Sequence, residues 1–268
     1  IDEKFDGYRC LTEADNKYGL TSVNMFSRNG NDLLGYDELL YIIEKCNPLM
    51  DGTSVVLDGE LMSKDFKETQ NNAFRKSGGK KANYYVFDII NKKAFYDVNG
   101  YLPLLERMNI LQSYISLLKE KAKKLGIDTS CIVEVIPLMV YEHNIVTLRS
   151  DFAKTYHHRL SYVNPTDSMV TKLCDEVYAY ALEMGLEGVI VKDLDSLYMA
   201  GKSYSSECID AKRKNEKWYS WAKRKPVDTL DLVVQDIYEG TGENERKLGG
   251  VNVIYNANTN INKHLINI

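Results

Sequence analysis

Several features are missing from this sequence, and each absence excludes something. It has no stretch of about eighteen consecutive apolar residues and no charged-then-apolar leader, so neither a membrane span nor a secretory signal is expected. The chain reads as intracellular. Its five cysteines, Cys10, Cys46, Cys131, Cys174 and Cys208, are odd in number, scattered and without CxxC spacing. That excludes a disulfide framework and a structural zinc site, and leaves plain core or surface thiols. Histidine is equally uninformative: His157 and His158 are adjacent, poor spacing for ligating a metal from one face, and His143 and His264 are isolated. There is no internal repeat and no low-complexity segment. There is also no excess of positive charge, since 34 Lys and Arg stand against 38 Asp and Glu for a net charge of −4. On charge alone nothing points to a nucleic-acid partner. Finally, the chain opens at Ile1 without a methionine, and a motif-rich segment begins three residues later, so it reads as a fragment.

What is present is a chain of 268 residues, 44% apolar, long enough for one large domain or one domain and part of a second. Local charge departs from the average. From Lys212 to Lys225 seven basic residues (Lys212, Arg213, Lys214, Lys217, Lys223, Arg224, Lys225) face one acid, Glu216, and are interleaved with Trp218, Tyr219 and Trp221. Such a tract suits phosphates, although a solvated charged face has the same composition. Strand-type runs are predicted at Tyr8 to Leu11, Ser22 to Phe26, Ser54 to Met62, Tyr84 to Ile90, Ile132 to Val140, Val189 to Lys192, Ser220 to Arg224, Leu230 to Tyr238 and Val251 to Tyr255. Two helices are predicted between them. One follows Pro103, with Leu104, Met108, Leu111, Ile115 and Leu118 at helical steps and Gly126 as its stop; the other carries Val170, Leu173, Val177, Ala181 and Met184 before Gly185. Without regular βαβ alternation the expected class is α+β, built on antiparallel sheets flanked by helices. The one convincing boundary is Lys225-Pro226-Val227-Asp228, which divides residues 1–226 from a shorter segment, 227–268.

The chemistry begins at Lys4-Phe5-Asp6-Gly7-Tyr8-Arg9, a KxDGxR string. A lysine just before a glycine turn, with an arginine five residues on, suits an amine presented to a phosphate whose oxygens the arginine neutralises. Alone it also matches an ordinary surface turn. Downstream, however, come Ser27-Arg28-Asn29-Gly30, Leu57-Asp58-Gly59-Glu60-Leu61, Tyr85-Val86-Phe87-Asp88, Glu187-Gly188-Val189-Ile190-Val191-Lys192 and Trp221-Ala222-Lys223-Arg224-Lys225-Pro226. In order, spacing and residue type these resemble nucleotidyltransferase motifs I, Ia, III, IIIa, IV and V of the covalent superfamily containing ATP-dependent DNA ligases, RNA ligases and mRNA-capping enzymes. Leu102-Pro103-Leu104-Leu105-Glu106-Arg107 also resembles the LPLxER helix start of DNA ligases, a structural element.

The resemblance implies an adenylation domain of nucleotidyltransferase (ATP-grasp-like) fold in which Lys4 attacks the α-phosphorus of ATP and becomes lysyl-AMP. An ordinary lysine is a poor nucleophile: with a pKa near 10.4, only about one part in 2,500 is neutral at pH 7, a deficit of roughly 4.6 kcal/mol. Cationic neighbours favour the neutral amine, and Lys223 and Lys225 are placed to supply them. By the same resemblance Glu187 and Glu60 hold Mg²⁺, with Glu60 also at the ribose. Phe87 and Ile190 sandwich the adenine, Asp2 lies near the base, and Glu3 is a further cofactor-binding candidate. Arg9 contacts the sugar-phosphate, and Arg28 the ribose or a 5′-phosphate. Asp2 stands where ligases commonly carry glutamate, one methylene longer.

Among family members, Trp-x-Lys-x-Lys-Pro followed by Asp231-Leu232-Val233-Val234 and Tyr238-Glu239-Gly240-Thr241-Gly242 resembles the junction between the adenylation domain and the OB-fold in compact DNA ligases of the small viral and phage type. This implies an ATP-dependent DNA ligase acting as a monomer on nicked duplex DNA, in the host cytoplasm if viral. RNA ligase and capping enzyme are the alternatives, and a nucleotide- or nick-binding module without turnover is the reading from another class. No match to motif VI, the basic element late in the OB-fold, occurs before Ile268.

Overall fold

A computed structural model describes residues 1–64, 66–75, 78–99, 101–198, 205–207, 217–219, 221–226, 232–240, 245–255 and 265–267. Its first compact unit is Ile1–Lys225 and its second Pro226–Ile268. The first unit begins with β1 (Asp2–Lys4), β2 (Tyr8–Lys17), β3 (Leu20–Ser27), α1 (Asp37–Cys46), β4 (Ser54–Met62), α2 (Phe66–Phe74), β5 (Asn83–Asn91) and α3 (Lys92–Asp97). It continues through α4 (Leu104–Leu125), β6 (Ile132–Glu134), β7 (Met139–Glu142), β8 (Ile145–Leu148), α5 (Ser150–Thr155), β9 (Ser161–Val163), α6 (Asp167–Glu183) and β10 (Gly188–Lys192). The short strands β11 (Ser205–Glu207), β12 (Lys217–Tyr219) and β13 (Trp221–Arg224) end it. The second unit contains β14 (Leu232–Glu239), β15 (Leu248–Tyr255) and β16 (Leu265–Asn267), an antiparallel sheet in that order.

The long helix α4 forms where its periodicity places it. Pro103 stands at the N-cap, and Gly126 closes the C-terminus at φ 68°, its N–H donating to the carbonyls of Ala122 and Lys123. Its buried stripe, Leu111, Ile115 and Leu118, joins Leu39, Ile42 and Ile43 of α1 over the five-stranded sheet β3-β2-β4-β5-β6. A second core gathers Leu173, Val177 and Ala181 of α6 with Met139, Val146, Leu148, Phe152 and Val189. Thr166 caps α6 by accepting from the Met169 N–H.

Four details differ from the sequence expectations. The predicted run from Ile132 to Val140 is two strands. After Glu134 the chain leaves the sheet through Pro137, which has no N–H to give, and Leu138 then donates to the Ile1 carbonyl at 2.8 Å. The five-stranded sheet is also mixed, because β6 pairs with β5 in parallel, an arrangement that needs a long crossover and has one in the helices α3 and α4. The helices α1, α2, α3 and α5 were not predicted. Met184, expected on the apolar face of α6, is its exposed C-cap. The predicted strand starts at Ser220 and Leu230, together with Lys212, Arg213, Lys214, Glu216, Cys208, Val227, Asp228, Asp231, Thr241, Gly242 and His264, lie outside the described residues.

Candidate active site

Three short strands far apart in sequence meet in one sheet, β1-β10-β13. Lys4 lies opposite Gly188, Asp2 opposite Ile190, and Ile190 in turn opposite Lys223. Alternation along each strand puts Asp2 and Lys4 on one face with Ile190, Lys192, Trp221 and Lys223. Gly188 is required at this point: its φ is +141°, and a Cβ there would stand 2.2 Å from the Arg224 carbonyl oxygen. The next strand pair, β2 and β4, brings Arg9 opposite Glu60. A bulge in the β4–β5 pairing, between Asp58 and Gly59, leaves Phe87 without a partner in register and re-aims its ring.

The result is a cavity of about 120 Å³ whose walls include nine of the predicted residues: Asp2, Glu3, Lys4, Arg9, Arg28, Glu60, Phe87, Ile190 and Lys223. The two others, Glu187 and Lys225, do not line it but adjoin Lys4. Glu187 Oε2 is in contact with Lys4 Nζ, and Glu187 Oε1 accepts from Lys225 Nζ at 3.1 Å. Burial, then the charges of Lys223 and Lys225, push the Lys4 pKa below its ordinary value, while Glu60 and Asp6 oppose them. Burial likewise pushes the Glu60 carboxyl up to about 7, against the pull of Arg9, Arg28 and Lys4.

Three of the other charges, Asp2, Glu3 and Arg9, are held by partners. The buried Asp2 carboxylate pairs with Lys192 Nζ at 2.5 Å. Glu3 borders the cavity, but its carboxylate accepts from Arg149 at 2.8 Å. Arg9 grips Asp58 through two N–H groups and lies 5.1 Å from the Phe87 ring centroid. Among the described residues no group of three or more His, Cys, Asp or Glu side chains could hold a metal ion. Glu187 and Glu60 are carboxylates that could hold a hard cation such as Mg²⁺, which usually completes its shell with water and phosphate oxygens.

Residues 1–139 match the family described as ATP dependent DNA ligase domain. The chain belongs to that family. Among curated relatives of this ligase family, DNA ligase 2 of Methanosarcina mazei is 26% identical over 267 residues, covering 94% of this chain and 37% of that protein. A probable DNA ligase of Kineococcus radiotolerans is 25% identical over 259 residues, covering 94% of this chain and 39% of that protein. The chain thus spans under two fifths of the length of these two relatives. A solved structure, Pmar-Lig_PreS3, shares the fold at a TM-score of 0.65 and 24% identity, covering all of this chain and 50% of that one.

Within this ligase domain, sequence reasoning missed Lys192 and Trp221. Lys192 Nζ lies 4.2 Å from the Trp221 ring centroid and 5.0 Å from that of Phe87, and both residues line the cavity. The signal was available, because each ends or begins a quoted motif, but their facing depends on the strand register. Phe5 and Val135 also line the cavity and carry no polar signal.

Proposed function

We propose that the protein is an ATP-dependent DNA ligase that seals 5′-phosphate/3′-hydroxyl nicks in duplex DNA through a covalent lysyl-AMP on Lys4. The observation that carries this reading is Lys4 itself: an amine on β1, pushed toward its neutral form by burial and by Lys223 and Lys225, at the edge of a cavity walled by Phe87, Ile190 and Trp221. The amine lone pair forms a P–N bond to the α-phosphorus as the P–O bond to pyrophosphate breaks. The AMP then passes to a 5′-phosphate, and the 3′-hydroxyl expels it.

The cavity is smaller than the ~300 Å³ of a typical small-molecule cleft, so it suits one flat group, the adenine, with ribose and phosphates extending toward its rim. A base stacking on Phe87 competes there with Arg9 and Lys192, whose cations already approach that ring. Asp2 lies at the base end, Glu3 borders the nucleotide with its carboxylate held by Arg149, Arg9 and Glu60 lie at the ribose, and Arg28 toward the ribose or the 5′-phosphate. Lys223 and Lys225 hold the phosphates and offset charge developing on pyrophosphate. Mg²⁺ at Glu187 and Glu60 would supply further charge neutralisation. The three antiparallel strands of the second unit are the start of an OB-fold that follows the adenylation domain, residues 1–226. We place the protein inside the cell as a monomer, in the host cytoplasm if its source is viral. Among the described residues no helix is long and apolar enough to cross a membrane.

The test is incubation of the full-length protein with Mg²⁺ and α-labelled ATP or GTP. Acid-labile label from ATP supports a ligase, label from GTP a capping enzyme, and no label from either rejects both. Nicked DNA, nicked RNA and hybrid duplexes then identify the polynucleotide.

A further inference from the structure

Arg9 is held by Asp58 of a quoted motif and, through it, by Tyr198, which lies outside all of them. Asp58, fully buried in β4, accepts from Arg9 Nε at 2.5 Å through Oδ1 and from Arg9 Nη2 through Oδ2. The same Oδ2 accepts the Tyr198 hydroxyl at 2.7 Å, and Tyr198 is only 4% exposed. Burial and the Asp58 charge push the Tyr198 hydroxyl well above its ordinary pKa, so it remains a donor.

Tyr198 follows a stretch after β10 that is anchored to the start of α4. The N–H groups of Leu104 and Leu105, at the start of α4, donate to the carbonyls of Ser196 and Leu194, both at 3.0 Å. Arg107 adds a bond to the Ser196 carbonyl at 3.2 Å, and its guanidinium lies 5.7 Å from the Tyr198 ring centroid. The rings of Phe95 and Tyr101 stand 5.9 and 5.8 Å from that of Tyr198. The tyrosine ring is therefore held from several sides, and its hydroxyl reaches Asp58 from one direction.

A carboxylate that receives two N–H groups and one O–H in a dry site has its plane fixed, and the plane of the guanidinium it holds is fixed with it. Without the hydroxyl, the carboxylate is free to turn about its Cβ–Cγ bond, and Arg9 loses its single orientation at the cavity wall. We infer that Tyr198 is a positioning residue for the first chemical step: by donating to Asp58 it sets Arg9 against the sugar-phosphate of the nucleotide. The inference rests on the ligase reading and deepens it.

The test compares the full-length wild type with Tyr198→Phe, Arg9→Lys and the double variant, using the single-turnover rate of labelling by α-labelled ATP over a range of ATP concentrations. Tyr198→Phe keeps the ring and its packing. The expected result is a loss of about tenfold in the rate at saturating ATP, in a protein still folded by circular dichroism. The double variant is expected to be no slower than Arg9→Lys alone, because the hydroxyl acts through that arginine. Labelling of Tyr198→Phe at the wild-type rate overturns the inference. So do losses that multiply in the double variant, and so does a Tyr198→Phe protein that fails to fold, which assigns the hydroxyl to stability. A wild type that takes no label from ATP sinks the ligase reading and this inference together, whereas normal wild-type labelling with an unaffected Tyr198→Phe sinks the inference alone.

Discussion

Replacing Arg107 by methionine should destabilise the first unit by an amount that grows with pH. Arg107 and Asp88 are each 1% exposed and meet through two hydrogen bonds, Nε to Oδ1 at 2.8 Å and Nη2 to Oδ2 at 3.0 Å. Burial pushes the Asp88 carboxyl up, and Arg107 opposes that push by hydrogen bond and by charge. Removing the cation leaves a buried carboxylate whose cheapest escape is protonation. From an unfolded-state pKa of about 3.9, protonating it at pH 7 costs roughly 1.4 kcal/mol for each of about three pH units, a ceiling of ~4 kcal/mol on the difference because burial already raises the carboxyl in the wild type. At pH 5 the same term is only ~1.5 kcal/mol. In the variant the folded carboxyl keeps a proton that the unfolded chain releases above about pH 4, so stability falls by about 1.4 kcal/mol per pH unit as pH rises toward the folded pKa. The carbonyls of Leu102 and Ser196, which also accept from Arg107, add a pH-independent loss of ~1–3 kcal/mol. Urea denaturation of wild type and Arg107→Met at pH 5, 6 and 7 measures the difference. A cost below ~1 kcal/mol, or one equal at pH 5 and pH 7, would refute the reasoning.

Three further outcomes are expected. Lys225→Gln removes one of the cations that lower the Lys4 pKa, so the rising limb of the labelling rate should move to higher pH, with a loss of about tenfold at pH 7 that is partly regained at pH 9; a uniformly slower enzyme with an unmoved limb contradicts this. Gly188→Ala forces a Cβ to 2.2 Å from the Arg224 carbonyl at a φ of +141°, and should cost about 3 kcal/mol or more in thermal or urea unfolding. Glu60→Gln should abolish labelling yet stabilise the metal-free protein. With the folded carboxyl raised to about 7, the wild type loses stability as pH climbs from the unfolded value to 7, and the variant does not. The advantage should therefore be absent near pH 4 and reach ~1–2 kcal/mol at pH 8 after discounting for partial exposure; an equal difference at both pH values would show that the carboxyl is not raised.

Local signals account for what was legible in the sequence. The helix α4 was readable because its apolar spacing, Pro103 and Gly126 all agree, and β4 because Ser54 to Met62 is bounded by turn residues. The helix α1 carried the same kind of signal, with Leu39, Ile42, Ile43 and Cys46 buried at three- and four-residue spacing, and was overlooked between stronger motifs. Pro137 was a visible reason to divide the run from Ile132 to Val140. Other features were not readable in principle. The bulge that re-aims Phe87 is a property of the β4–β5 pairing. The partner of Arg107 is set by how α4 crosses β5, so the LPLxER resemblance gave a helix start and no hint of Asp88. Tyr198 reaches Asp58 across 140 residues of sequence.

That division follows from how the site is made. Each motif is short because it supplies one or two side chains to a common cavity, whose walls come from the three-stranded sheet β1-β10-β13 and from β2, β4 and β5 of the five-stranded sheet. Lys4 needs cations nearby to lose its proton, yet it also touches the Glu187 carboxylate, which favours the charged amine. The conflict is reduced because Glu187 is shared: its second oxygen accepts from Lys225, so much of the carboxylate field is spent on a cation other than Lys4. Lys223, on β13, lies opposite Ile190 and is separated from β1 by β10. Lys4, the proposed nucleophile, therefore sits in a cluster of three lysines and one bridging carboxylate, whose net positive charge suits a neutral amine and a bound polyphosphate.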